Sequence, residues 1–331
     1  MINLFKYFRN RKVGLALGSG GAKGISHISV IEYLESLNIP IHMIAGSSAG
    51  AVVGAVYCCG TLKEFKEALL HLEWNDMISL FDPVFPRSGL IEGAKALKFM
   101  KQFIPDSVTI DELPIPLSII ATDLYSGMPV VFRSGNLLQA IRASGSIPGI
   151  FVPVTYENKV LVDGGISKPL PIDVVKNMGA GYTIAVNLHP TVSNKRIRKL
   201  IRTMSKHDTV EEKQVRLEIA KSLSNIRHYE LFSTIADKKW FRSVEKWLGR
   251  ESPKAEKLPN IFEIISQSVD IMEYTNTMLV LKYQKPTVLI QPDLLDLNTL
   301  DFFRASDALT GGFQACEKVR GKIIRKIRYW V

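Results

Sequence analysis

Short apolar runs alternate with helix-spaced stripes through the first half of the chain. "VGLALG" (13–18) and "IHMIAG" (41–46) predict two buried strands. Between them, "GISHISVIEYLESL" (24–37) repeats apolar residues at Ile28, Ile31, Leu34 and Leu37, the spacing of a helix face. Residues 49–57 predict a second helix and 136–144 a short one. "PLSIIATDL" (116–124), "PVVFRSG" (129–135), "KVLVDGG" (159–165) and "YTIAVNLHP" (182–190) predict further strands. Strands alternating with helices imply a mainly parallel sheet covered by crossover helices.

The pattern changes after Pro190. Residues 195–260 are charged and helical in spacing, with few strand signals. A helical stripe through Ile261, Ile264, Ile265, Val269, Met272 and Met278 follows. Then come one strand, "PTVLIQP" (286–292), and a helix around "RASDALTGGFQACEKV". The expected organisation is an α/β core over 13–190, a helical basic insertion over 191–285 that could act as a lid, and a segment 286–331 that rejoins the core.

Composition changes little in this picture. With 46% apolar and 22% charged residues, the chain has the makeup of a water-soluble globular protein with an ample core. Cys58, Cys59 and Cys316 form neither a disulfide framework nor a metal-ligand spacing. No metal and no cofactor are therefore expected, and a reducing, cytoplasmic setting is. The start of the chain lacks the apolar segment of a secretory signal, although export by a dedicated secretion system would leave no such trace. Charge is more telling. Residues 1–190 carry 16 Lys+Arg against 15 Asp+Glu, and residues 191–331 carry 26 against 17. The basic half suits an anionic surface. Nucleic acid is disfavoured, because no binding module is present and the aromatics are not interleaved with the cations.

Three short segments carry candidate chemistry. Gly46-Ser47-Ser48-Ala49-Gly50 fits G-x-S-x-G, in which a sharp strand-to-helix turn presents Ser48 and the flanking glycines let the chain crowd itself. The helix that follows aims its N-terminal amides at the same place. "LGSGGAKG" (17–24) lies at the preceding strand-to-helix turn. Its spacing is neither a clean dinucleotide fingerprint nor a P-loop, and it suits an oxyanion hole with Gly20 and Gly21 donating. Asp163-Gly164-Gly165 ends a strand, where the glycines allow close approach and Asp163 can act as a base. The three segments supply a nucleophile, an oxyanion hole and a base at strand ends of one sheet.

In order, "LALGSGGAKG", "GSSAG", "ASGSIPGIFVPV" and "VDGG" resemble the patatin-like phospholipase family, over about residues 13–190. "TVLIQPDLLDLNTLDFFRASDALTGGFQA" is similar to the closing strand and helix of bacterial members. The resemblance implies a three-layer α/β/α fold and a serine acyl hydrolase of lipid esters, of phospholipase A or lysophospholipase type. It also implies a Ser48–Asp163 dyad, with Gly20, Gly21 and Ala22 as oxyanion-hole amides. Gly18, Lys23, Gly24, Gly46, Gly50, Gly164 and Gly165 become supporting motif positions, Lys23 in a loop-holding or electrostatic role. Ser19 departs from the family, which usually has glycine there.

Two other readings stay open. A Ser-His-Asp esterase or thioesterase would use His189, at a strand end in the right chain order. A catalytically inactive membrane-binding protein could share the fold. His27, His42 and His71 read as core or surface histidines, and His207 and His228 as solvent-facing. The tail "EKVRGKIIRKIRYWV" can place Ile323, Ile324, Ile327 and Trp330 on one side and cations elsewhere, an interfacial pattern that the N-terminus repeats weakly with Ile2, Phe5 and Phe8. The expected partners are thus a lipid ester substrate and an anionic membrane surface, met peripherally.

Overall fold

The structure is a computed structural model of the 331-residue chain and describes residues 12–72, 91–189, 261–294, 297 and 299–328. Eight strands make one sheet: β1 (Val13–Leu17), β2 (Met43–Ser47), β3 (Leu117–Asp123), β4 (Pro129–Phe132), β5 (Val154–Tyr156), β6 (Lys159–Asp163), β7 (Tyr182–Val186) and β8 (Val288–Ile290). Their order is β5-β6-β3-β2-β1-β7-β8, with β4 also paired to β3. The run β3-β2-β1-β7-β8 is parallel, and β4, β5 and β6 add antiparallel pairs at one end. β1 and β2 are buried at every position, which is why they read as continuous apolar runs rather than alternating ones.

The pleat sends bulky and small residues to opposite faces. Leu15, Leu17, Ile44, Ile119 and Val186 enter the larger core. That core is completed by α1 (Ser26–Ser36), α2 (Ala49–Cys58), α3 (Leu62–Leu70), α5 (Leu137–Ser144) and α8 (Ala305–Ile323), with α4 (Ala94–Met100) at its margin. Ala16, Ala45, Ile120 and Ala185 face the other way, onto α6 (Ile172–Asn177) and the partly buried Val280 and Leu281 of α7 (Ile261–Tyr283). Small residues bring α6 close: a Cβ on Gly14 would run into Val175 and Ala180. The result is a three-layer α/β/α fold. Among the described residues, its predicted strands and helices appear within a few residues of the expected limits. The sequence reading lacks β5, α3, α4 and α6, segments of three to nine residues too short to fix a period.

Strand register brings the site together. Ile119 and Ile120 of β3 pair with β4 on one edge and with Gly46 and Ser47 of β2 on the other. Ala121 and Thr122 pair with β4 and, opposite it, with Asp163 and Val162 of β6. A strand has two edges, so β2 and β6 follow one another along the same edge of β3. β2 ends at Ser47 where β6 ends at Asp163, and the residues after each meet head to head.

Two expectations from hydrophobic spacing are corrected. Ile323 and Ile327 of the tail are fully buried in the main core instead of facing a membrane, because α8 lies against α1 and the stripe continues that packing. On α7, Met272 is exposed while the deepest side chains are Glu273 and Thr277. The apolar stripe does not mark the buried face there, since α7 covers polar groups at the strand ends. The chain divides into two compact units, Met1–His189 with Ile265–Val331, and Pro190–Ile264. The suggested lid over 195–260, His207, His228, the N-terminal apolar residues and Trp330 lie outside the described residues. No helix among the described residues is long and apolar enough to cross a membrane.

Candidate active site

Ser48 sits at the junction of β2 and α2 with φ 53° and ψ −122°, a conformation that costs an L-residue on the order of 1–3 kcal/mol. The neighbouring glycines make it attainable. A Cβ on Gly46 would collide with Gly50 O, and one on Gly50 with Leu17 O. The strained turn is pinned from outside by Ser144, at the end of α5. Its Oγ accepts the Ser48 N–H at 2.8 Å and donates to Ile120 O.

The Ser48 hydroxyl donates to Asp163 Oδ2 at 2.6 Å, and both residues are buried. The second oxygen, Oδ1, accepts the Gly165 N–H at 2.7 Å. The Asp163 main chain is held by its N–H to Ser146 O and by Thr122 Oγ1 donating to its carbonyl. Burial, then the nearby Glu273 charge, push the Asp163 carboxyl up to about 8, while its bonds to Ser48 and Gly165 pull the other way. A carboxyl so placed can accept a proton near neutral pH. Ser47 is buried as well, but Asp163 pairs with Ser48.

The loop Gly18–Gly24 lies beside Ser48, and a Cβ on Gly24 would strike Ala49. Gly20 and Gly21 have φ of 152° and 55°, so the loop needs glycine there. The Ala22 N–H, expected to face an oxyanion, donates instead to Thr299 O at 2.8 Å. Among the described residues, the N–H groups of Gly20 and Gly21 have no hydrogen-bond partner and remain available. Lys23 lies within electrostatic reach of the half-buried Asp270. There burial raises the carboxyl, Lys23 lowers it, Glu273 adds to the rise and His189 offsets part of it.

His189 is buried, yet its Nε2 lies 3.2 Å from Ser19 Oγ and 3.2 Å from Glu273 Oε2 rather than on Ser48. His27 is a core histidine, as expected, and it also anchors the glycine loop. Its Nε2 is bonded at 2.8 Å to Gly18 O, at the root of that loop. Burial depresses its basicity to about 4. The folded value lies below the unfolded one of about 6.5, so the unfolded chain binds the extra proton in between. The contribution of His27 to stability should therefore be full above pH 6.5 and fall by about 3 kcal/mol as pH drops to 4. The thermal midpoint of wild type should fall relative to that of His27→Gln as pH is lowered across that window.

From Ser48 a cavity of about 210 Å³ runs between α2, α3, α4 and α5. Its walls are almost wholly apolar, with Val52, Val53, Leu69, Met100, Ile141 and Phe302 among them. On the α3–α4 side Phe103 packs edge-on against Phe65 and Phe99 at centroid distances of 5.2 and 5.3 Å, and Phe65 and Phe99 are tilted at 6.4 Å. Arg142 borders the cavity but is tied to Ser146 Oγ, Glu92 O and Val152 O. An elongated apolar group can enter here with one end at the Ser48 hydroxyl.

The fold agrees with the sequence comparisons. The model of the family described as patatin-like phospholipase matches residues 15–176. The chain belongs to the patatin-like phospholipase family and, as such, is a lipid acyl hydrolase. Within that family it is similar to an uncharacterized NTE family protein of Mycobacterium bovis, at 31% identity over 91% of this chain and 89% of that protein. It is also similar to the Drosophila melanogaster neuropathy target esterase sws, at 30% identity over 56% of this chain and 13% of the relative. A third relative is the lysophospholipase NTE1 of Scheffersomyces stipitis, at 31% over 56% of this chain and 12% of that one.

Three residues with a part in the site were not singled out from the sequence. Ser144 lies inside the quoted "ASGSIPG" segment but 96 positions from the group it holds. His27 sits in the first turn of α1 with no local mark of its bond to Gly18. Glu273 is hidden in the stripe of α7, where only a charged residue among apolar ones could have drawn notice.

Proposed function

We propose that the protein hydrolyses single-chain lipid esters of lysophospholipid type through a Ser48–Asp163 dyad at a membrane surface. The observation that carries this reading is the 2.6 Å bond from Ser48 Oγ to Asp163 at the head of an apolar cavity. Ser48 Oγ attacks the acyl carbonyl as its proton passes to Asp163. The Gly20 and Gly21 amides hold the oxyanion, helped by the positive end of α2. Collapse expels the alcohol, which takes the proton back from Asp163. Water, deprotonated by Asp163, then releases the fatty acid and restores Ser48.

The lysophospholipid class is suggested by the name of the Scheffersomyces stipitis relative, and a cavity of about 210 Å³ suits one chain better than two. The membrane surface is suggested by the net charge of +10. Release of fatty acid from lysophosphatidylcholine, from diacyl vesicles and from a short p-nitrophenyl ester tests the reading, and turnover of the first should dominate. No turnover of any of the three by wild type would return the inactive binding-protein reading.

The Ser-His-Asp alternative finds no support in the geometry, since His189 is engaged with Ser19 and Glu273. His189→Ala should retain hydrolysis, and a loss as deep as that of Ser48→Ala in a folded variant would restore the triad. Val53→Phe places a ring in the cavity. It should lower kcat/KM for a long-chain lysophospholipid by roughly tenfold or more while sparing the short ester.

A further inference from the structure

Behind Asp163 lies a second buried carboxylate that the dyad chemistry leaves unused. Glu273 comes from the buried side of α7, and its Oε2 lies 3.2 Å from His189 Nε2. The same Nε2 is 3.2 Å from Ser19 Oγ, the side chain present where the family usually has glycine. The other oxygen, Oε1, reaches over Gly165. A Cβ at Gly165 would collide with it and stand 2.9 Å from Ser19 Oγ. Gly165 is also the residue whose N–H holds Asp163 Oδ1. Asp163 and Glu273 thus address the same glycine, one at its N–H and the other where a Cβ would stand.

We propose that Glu273, held by His189, is a positioning residue that sets the basicity of Asp163 and thereby the nucleophilicity of Ser48. This rests on the dyad reading above. The physical argument is mutual repulsion of two carboxylates in a site poor in water. A charge on Glu273 makes a charge on Asp163 costlier, so Asp163 holds a proton more tightly and draws it from serine more strongly. The upward shift of Asp163 has the Glu273 charge as its second cause after burial. His189 gives Glu273 a polar partner in place of water. Among the described residues, the other charged groups near the cluster are Asp270, one turn earlier on α7, and Lys23 of the glycine loop, which partly offset each other. The arrangement also accounts for the second glycine of Asp-Gly-Gly: any side chain there would displace Glu273.

The test is the rate at which a fluorophosphonate labels Ser48 across a pH series. In that reaction the Ser48 Oγ–P bond forms, fluoride leaves and Asp163 takes the proton. For wild type the rate should climb with pH as Asp163 ionises. In Glu273→Gln the rise should move to lower pH by at least about half a unit, and the plateau should fall several-fold because the base is weaker. KM for the lipid ester should stay the same, and Glu273→Asp should bring the rise part of the way back. If the glutamine variant does not fold, the uncharged Glu273→Met is read in its place. A rise that coincides with wild type in whichever folds overturns the proposal and leaves the dyad standing. Wild type that is not labelled, or Ser48→Ala labelled as fast as wild type, overturns the dyad and this inference with it.

Discussion

Ser48→Ala should abolish release of fatty acid, with kcat down roughly 10⁴-fold or more, and Asp163→Asn should come close to the same loss. In the first the attacking atom is gone. In the second the shape is kept, but the amide that replaces Oδ2 cannot take the serine proton. Neither variant should weaken lipid binding, because the apolar walls that hold the chain are untouched by both changes. Asp163→Asn should also be more stable than wild type, and the sign follows from the shift. The folded value lies above the ordinary 3.8, so between 3.8 and about 8 the folded state holds a proton that the unfolded chain has released. The Asp163 contribution to wild-type stability therefore falls as pH rises through that window, and the asparagine variant lacks that loss. Thermal midpoints should agree near pH 4 and separate towards pH 8. A site that trades stability for a usable base predicts this pairing of lost activity and gained stability. Equal midpoints at pH 8 would show that Asp163 carries no such cost.

Gly50→Ala should be strongly disruptive. The added Cβ would collide with the backbone carbonyl of Leu17 and come within 2.8 Å of Gly18 O. These atoms belong to the central strand and the glycine loop, and neither can rotate away. The expected cost is on the order of 3 kcal/mol, seen as a lower denaturation midpoint, together with loss of activity as the elbow shifts. Gly54→Ala, one turn further along α2, is the contrast. Its Cβ would meet only side-chain carbons, Ile44 Cγ2 at 3.1 Å and Leu117 Cδ1 at 3.4 Å, which can give way. In mid-helix the substitution also removes backbone freedom from the unfolded chain. It should leave stability near that of wild type, and a collapse as deep as that of Gly50→Ala would refute the distinction between backbone and side-chain contact.

Legibility from sequence followed the range of the forces involved. A strand buried on both faces must be apolar throughout, so β1, β2 and β3 announced themselves. A turn that forces a serine to φ 53° must be flanked by residues without bulk, so Gly46 and Gly50 marked Ser48. Asp-Gly-Gly at a strand end was legible for the same reason, although the object that needed Gly165 bare was not. Hydrophobic spacing misled where two surfaces compete for one stripe. Ile323 and Ile327 have the pattern of a membrane-facing helix, and the core took them because α1 was there to receive them.

By itself, then, the sequence determined the parallel α/β frame, the strained serine, the glycine loop and an aspartate at a strand end. Each of these is enforced by local sterics or by a period of two or 3.6 residues. Only the tertiary structure decided that β2 and β6 end against each other on one edge of β3, so that Ser48 meets a carboxylate 115 positions away. It also decided that Ala22 turns its amide to Thr299, that His189 serves Glu273 rather than Ser48, and that α7 lays a second carboxylate beside the first. These are contacts between groups far apart in the chain, fixed by strand register and helix packing, and no spacing along the sequence encodes them.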